Sequence, residues 1–199
     1  MPARRLVLAS ASPARLGLLR NAGFEPEVVV SGVDEDAVSA EPVSALVQAL
    51  AGAKAQAVAA LDSVADAIVV GCDSLFERDG RGWGKPGSAA EAVARIRSMR
   101  GRSGVLHTGH CVIDLRSGRS VSGVRSTTVH FASMSDDEID AYVASGEPLA
   151  VAGSFTLDGR SSVFVDCIEG DPSNVIGLSL PLFRSLLAEV DVAVTELWA

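Results

Sequence analysis

Only three cysteines occur in the 199 residues, and none belongs to a C-x-x-C pair. Cys72, Cys111 and Cys167 are odd in number and widely spaced, which excludes a disulfide framework and a paired-cysteine zinc or redox site. They fit a reduced cytoplasm in which each thiol serves as a small buried hydrophobe. Long apolar runs are also missing. The opening MPARRLVLASASPARL is too brief for a secretory leader, and no segment reaches the ~20 apolar residues of a membrane span. Cations are outnumbered, 17 Lys and Arg against 25 Asp and Glu, and they are scattered, so no footprint for polymeric nucleic acid is visible. Neither G-x-x-x-x-G-K-[ST] nor a strand-following G-x-G-x-x-G is present, which removes the main support for P-loop and Rossmann sites. Aromatic residues are few; Trp83 and Phe155 can stack on a base or pack in a core, and isolated aromatics more often pack.

What is present suffices for a core. Hydrophobic residues make up 48% of the chain, enough for one domain over 1–199 without metal or disulfide staples. Residues 5–9 read as a short buried strand, Ser12-Pro13 as an N-cap with proline at the first helical position, and Gly23 as the helix end. A second strand over 27–31 leads into the acidic turn 32–36. The spacing over 43–61 predicts a long helix with Val43, Leu46, Val47, Leu50, Ala53, Ala57, Val58 and Leu61 on its apolar face, and Gln48 and Lys54 among its polar positions. Residues 67–72 form a buried strand with Asp73 at its C-terminal end. Asp79-Gly80 marks a turn, and Ser88 with Glu91 a capping box before a helix ending near Gly101. A hairpin over 105–115 and 121–132, helices over 136–145 and 180–190, and strands over 163–168 and 192–197 complete the order. Strand and helix alternate early and a long hairpin follows. That order predicts an α/β fold: a mixed twisted sheet with flanking helices, in two lobes around a cleft.

Several residues can carry chemistry. The segment Ser10-Ala11-Ser12-Pro13-Ala14-Arg15 joins a strand to a helix N-terminus, where unpaired N–H groups and the helix dipole favour an anion, and Arg15 can grip phosphate oxygens bidentately. The plain alternative makes Ser12 a cap and Arg15 a solvated side chain. Glu35 in the acidic turn and Asp73 at a strand end can converge at one sheet edge, a pair suited to Mg²⁺, which binds carboxylates together with substrate phosphates. Asp73 can instead accept a proton from attacking water, and each acid taken singly is an ordinary surface group. Lys54 and Lys85 complete a polyphosphate cradle only if they converge with Arg15. His107 and His110 have the spacing of a metal pair, but three residues apart in a strand they point to opposite faces, which argues against zinc.

Taken in order, these segments resemble the Maf family of nucleoside triphosphate pyrophosphatases over essentially the whole chain. SASPAR at 10–15 resembles the family's S-x-S-x-x-R, Val33-Asp34-Glu35 its acidic segment, and Gly71-Cys72-Asp73-Ser74 the strand end with its aspartate. Lys54 within Ala53-Lys54-Ala55, Gly84-Lys85-Pro86, Ser103-Gly104 with His107, Glu147-Pro148 followed by Ala152-Gly153-Ser154-Phe155, and Asn174-Val175-Ile176-Gly177-Leu178 follow in register. The resemblance implies a fold similar to inosine triphosphate pyrophosphatases, commonly a homodimer. It implies that a nucleoside triphosphate is hydrolysed to monophosphate and pyrophosphate with Mg²⁺, or Mn²⁺ or Co²⁺, as cofactor. By the same resemblance that activity would limit misincorporation into nucleic acids and be linked to cell division arrest. By the same resemblance Asp73 and Glu35 are the catalytic residues, Asp73 as proton acceptor or water-positioning group, Glu35 with Asp73 holds the metal, and Ser10, Ser12, Arg15, Lys54 and Lys85 hold phosphates. Substrate choice would fall to Ala14, where a second arginine is often found, to Ser74, and to Asp158. An acid at 158 can accept from guanine N1–H and N2–H, so a modified purine such as 7-methylguanosine triphosphate is expected to serve at least as well as dTTP or UTP. A non-catalytic nucleotide-binding regulator of septation and a nucleotidyl or sugar-phosphate transferase remain as other readings.

Overall fold

Where the first strand stops decides where the molecule opens. A computed structural model describes residues 4–199; the first three residues of the unit expected over 1–199 lie outside them. Strand β1 (Leu6–Leu8) pairs in parallel with β2 (Glu27–Val28) on one side and with β3 (Ile68–Arg78) on the other. It covers only the start of β3. Leu8 stands beside Val70, and the last tie is the Ala9 N–H donating to the Val70 carbonyl at 2.8 Å. Further along the same edge β4 (Arg81–Trp83) folds back so that Trp83 faces Phe76, through a turn at Asp79-Gly80 whose φ values of 50° and 73° suit a two-residue hairpin loop. Between them, residues 71–75 of β3 have no strand neighbour on that side.

On its other side β3 pairs antiparallel with β5 (Ser103–Asp114), which forms a hairpin with β6 (Arg119–Phe131), and β7 (Val165–Glu169) closes the order β2-β1-β3-β5-β6-β7. The mixed open sheet is the one expected. Helices α1 (Pro13–Asn21) and α6 (Leu180–Glu189) bury Leu19, Phe183 and Leu187 against Leu8, Val70 and Cys72 on one face. Helix α2 (Val43–Ala59) covers the other, with Ala51, Ala55 and Val58 against Val7 and Val69. A separate core around Phe76, Ile96, Phe131, Ile139 and Phe155 holds α3 (Ala89–Met99) and α4 (Asp136–Ala144), and this is the second lobe. The short α5 (Pro172–Ile176) lies between β7 and α6 in the chain.

Two glycines set how closely α2 lies on the sheet. A Cβ at Gly71 would sit 2.4 Å from the Ala51 carbonyl oxygen, and one at Gly109 would sit 2.1 Å from that of Val47. Helix backbone rests directly on strand backbone at both places.

Four expectations need correction. The strand placed at 67–72 runs on to Arg78, because β5 supplies partners as far as Glu77 and β4 pairs with its end, so Asp73 is mid-strand, three residues past the Val70 that stands beside the end of β1. The second strand stops at Val28 because β1 stops at Leu8; only the Val29 N–H still reaches the Leu8 carbonyl. No strand forms over 192–197. Asp191 turns the chain at φ 58°, Val192 and Leu197 enter the core, and a one-turn 3-10 helix (Val194–Glu196) is closed by the Ala193 N–H donating to the Glu196 carboxylate at 2.8 Å. Cys167 is exposed on β7, whereas Cys72 and Cys111 are buried as expected.

Candidate active site

The close seat of α2 brings Lys54 to Asp73. Lys54 lies one turn beyond Ala51 and next to Ala55, the residues that press on Gly71. Its Nζ is 2.5 Å from Asp73 Oδ1 and 2.6 Å from Glu35 Oε1. The Lys54 and Asp73 side chains are each only 10% exposed, and Glu35 is 56% exposed. Lys54 is therefore not among the solvated positions of the helix, as its apolar pattern suggested; its stem is buried and its ammonium is stabilised by two carboxylates. Glu35 opens a one-turn 3-10 helix (Glu35–Ala37), whose entry is fixed by the Asp34 carboxylate accepting from the Asp36 N–H at 3.2 Å. Burial pushes the Asp73 carboxyl above the usual aspartate value, against the opposing pull of Lys54 and then Arg15.

Ser74 follows Asp73 and so faces the opposite side of β3. There the Arg15 guanidinium donates from Nε to the Gly177 carbonyl at 2.7 Å, from Nη1 to Ser10 Oγ at 3.0 Å and from Nη2 to Ser74 Oγ at 3.0 Å. Ser74 Oγ is 2.9 Å from Thr108 Oγ1, which donates to the Asn174 carbonyl at 3.2 Å. Three of the five guanidinium N–H groups are thus committed to protein, leaving two for a ligand. Ser12 is the N-cap, its Oγ accepting from the Arg15 N–H at 3.4 Å, while Ser10 Oγ accepts from the Ser12 N–H at 3.2 Å. Arg15 is buried, which overturns the solvated alternative.

Ser10, Arg15, Glu35, Lys54, Asp73 and Ser74 therefore meet around the open edge of β3, with Ala14 half-buried in the first turn of α1. Lys85 and Asp158 are not tied into this cluster. Lys85 is exposed just after Gly84, a residue that lies against Leu75 of the open edge. Asp158 is exposed on its own turn, its carboxylate accepting from the Thr156 hydroxyl. Trp83 and Phe155 pack: Phe155 lies edge-on to Phe76 and Phe131 at 5.2 and 4.8 Å, and Trp83 lies against Phe76 at 6.0 Å.

The two histidines do face opposite sides of the sheet. His107 bonds Glu77 at 2.9 Å and Ser126 at 2.8 Å on the α2 side. His110 sits under α6, where Nε2 accepts from the Ser179 N–H at 2.8 Å and Nδ1 donates to the Thr108 carbonyl at 3.1 Å. Burial, then the Arg15 charge, pushes its pKa down to about 4.

The anchors of Arg15 and the seat of α2 were not assigned from sequence. A glycine inside a strand pattern, as at Gly71 and Gly109, is the signal that finds the second. Gly177, at φ 127° just past a one-turn helix, is the weaker signal for the first.

Two carboxylate oxygens aimed at one cationic nitrogen form the hard donor pair that Mg²⁺ accepts. Among the described residues no three His, Cys, Asp or Glu are grouped to hold a metal unaided, so phosphate and water would have to complete such a site.

A family model for Maf-like proteins matches residues 5–190. The chain belongs to the Maf-like protein family. The matched stretch takes in the whole Maf-like sheet and every member of the charged cluster. Similar relatives are each named nucleoside triphosphate pyrophosphatase. The one from Streptomyces coelicolor is 63% identical over 198 residues, spanning 100% of this chain and 96% of its own. The Streptomyces avermitilis protein is 58% identical over 197 residues, 99% of this chain and 96% of its own. That from Salinispora tropica is 57% identical over 198 residues, 98% of this Maf-like chain and 88% of its own. No helix among the described residues is long and apolar enough to cross a membrane.

Proposed function

We propose that this chain is a nucleoside triphosphate pyrophosphatase: water attacks the α-phosphorus, the bond to the bridging oxygen breaks, and monophosphate and pyrophosphate leave. One observation carries the reading, the Lys54 ammonium held between Glu35 and Asp73, with the Arg15 guanidinium bonded to Ser74, the residue after Asp73. Full-length relatives of that name support it. Asp73 takes the proton of the attacking water; the desolvation that raises its proton affinity makes it a stronger acceptor than an exposed aspartate. Arg15, through its two remaining N–H groups, and the α1 N-terminus hold phosphate oxygens, with Ser10 and Ser12 fixing the turn. Lys54 and Lys85 add positive charge along the triphosphate, since phosphoryl transfer depends chiefly on in-line positioning and charge neutralisation. A divalent cation, Mg²⁺ or alternatively Mn²⁺ or Co²⁺, held by Glu35 and Asp73 would neutralise the phosphates when bound.

The finer proposal is a modified purine nucleotide as substrate, selected by Ala14, Ser74 and Asp158, with removal of such nucleotides limiting misincorporation and a link to division arrest. A cytoplasmic homodimer belongs to the same proposal. The test is product analysis in ¹⁸O-water across modified and ordinary triphosphates with each of the three metals. Monophosphate carrying solvent oxygen, with pyrophosphate, is the expected outcome. Nucleotide binding without turnover would favour a regulator, a conjugate product would favour a transferase, and strict preference for dTTP or UTP would overturn the choice of base.

A further inference from the structure

Lys85 makes no side-chain bond among the described residues, yet its backbone is held at both ends. It lies in the loop 84–87, Gly84-Lys85-Pro86-Gly87, between β4 and α3. At the near end the Gly84 carbonyl accepts from Arg95 Nη1 at 2.7 Å and from the Gly153 N–H at 3.2 Å. At the far end the Gly87 N–H donates to Glu91 Oε2 at 2.8 Å. Arg95 and Glu91 are one helical turn apart on α3 and bond each other, Arg95 Nη2 to Glu91 Oε1 at 2.5 Å. Arg95 is fixed from below by Trp83, its guanidinium carbon 5.7 Å from the ring centroid, and its side chain is only 16% exposed. Pro86 is buried, and a residue before proline is confined to extended backbone. Both ends of this loop are thus tied to α3, while the Lys85 side chain is not.

We infer that Arg95 and Glu91 are positioning residues that hold the 84–87 loop so that Lys85 is presented to the triphosphate at the open edge of β3. The inference rests on the phosphate-binding role proposed for Lys85. Neither residue need touch the nucleotide. The 152–154 turn of the second lobe holds the same Gly84 oxygen through the Gly153 N–H, beside the Arg95 bond. A lysine tip left to wander loses most of its value as a placed charge, since small displacements of a positioned group cost large factors in rate.

The test is a double-substitution cycle on kcat and KM for the triphosphate turned over fastest, with unfolding temperature measured alongside. Lys85→Ala is expected to lower kcat/KM by roughly a hundredfold and Arg95→Met by roughly tenfold, the latter mainly through KM. The doubly substituted chain should be no worse than Lys85→Ala alone, because the clamp then has nothing to place. Glu91→Ala, at a carboxylate 43% exposed, gives the same cycle should Arg95→Met fail to fold. Losses that multiply in the double variants, or single clamp variants with full activity, overturn the inference and leave the proposed reaction standing. Full activity in Lys85→Ala overturns the phosphate role of Lys85 itself, and the inference with it.

Discussion

Replacing Lys54 by methionine should destabilise the protein in a way that depends on pH. The substitution keeps the apolar stem that packs in α2 and removes the ammonium that lies 2.5 Å from Asp73. Breaking a buried pair on one side costs roughly 3–5 kcal/mol when the remaining charge stays ionised. Asp73 can escape that cost by binding a proton, at about 1.4 kcal/mol for each pH unit by which the solution lies above its pKa. Burial already holds the Asp73 carboxyl above its ordinary value, and Lys54 is the largest of the influences opposing that rise, so removing it moves the carboxyl further up. The variant's folded state then holds a proton that the unfolded chain releases, and its stability relative to the native protein must improve as pH falls. Urea unfolding at pH 8 and pH 5.5 reads this directly; the deficit should be smaller at pH 5.5, by no more than the ~3.4 kcal/mol that ~1.4 kcal/mol per pH unit allows over this interval. A deficit independent of pH would refute the coupling between Lys54 and Asp73. Lys54→Met/Asp73→Asn, with neither charge of the pair left buried, should recover most of the lost stability and still be inactive.

Gly109→Ala would place a methyl 2.1 Å from the Val47 carbonyl oxygen, so α2 must lift and Lys54 must leave Asp73; a loss of about 1–3 kcal/mol or more and a sharp fall in turnover are expected. Gly52→Ala on the same helix meets nothing within 4 Å and should gain ~0.5–1 kcal/mol; equal effects at the two sites in calorimetry would contradict the close seat of α2. His110 is held neutral, its pKa depressed to about 4 from an ordinary 6.5. Stability from that depression is complete above pH 6.5 and is lost as pH falls toward 4, by roughly 3 kcal/mol in all. His110→Gln keeps a donor and an acceptor at that place and should flatten the profile; an unchanged acid slope in urea melts would show that another group is responsible.

Local chemistry was readable wherever it was decided locally. Ser12 and Ser88 cap their helices by accepting from N–H groups three residues on, and the hairpin turn at Asp79-Gly80 needs only its own backbone. What escaped was decided by distant partners. Lys54 breaks the polar pattern of α2 because Asp73, on another element, stabilises its burial. Asp73 is mid-strand because β5 continues alongside, which no feature of residues 67–78 announces. The alternation at 192–197 is that of a strand, yet Asp191 turns the chain at φ 58° and Val192 and Leu197 reach the core from either side of a single 3-10 turn. The acid pair and the basic groups could be nominated one by one, while their meeting depended on two glycines that admit a helix to within backbone contact of the sheet.

Pyrophosphate release by Asp73→Asn, measured beside the native chain with Mg²⁺ and with folding checked by circular dichroism, probes the Asp73 site most directly. Loss of nearly all turnover in a folded protein is expected, because the amide can neither take a proton from water nor supply the negative charge that a cation needs. Turnover at the native rate would contradict any catalytic role for Asp73 and, with it, the reading of this edge as a triphosphate-cleaving site.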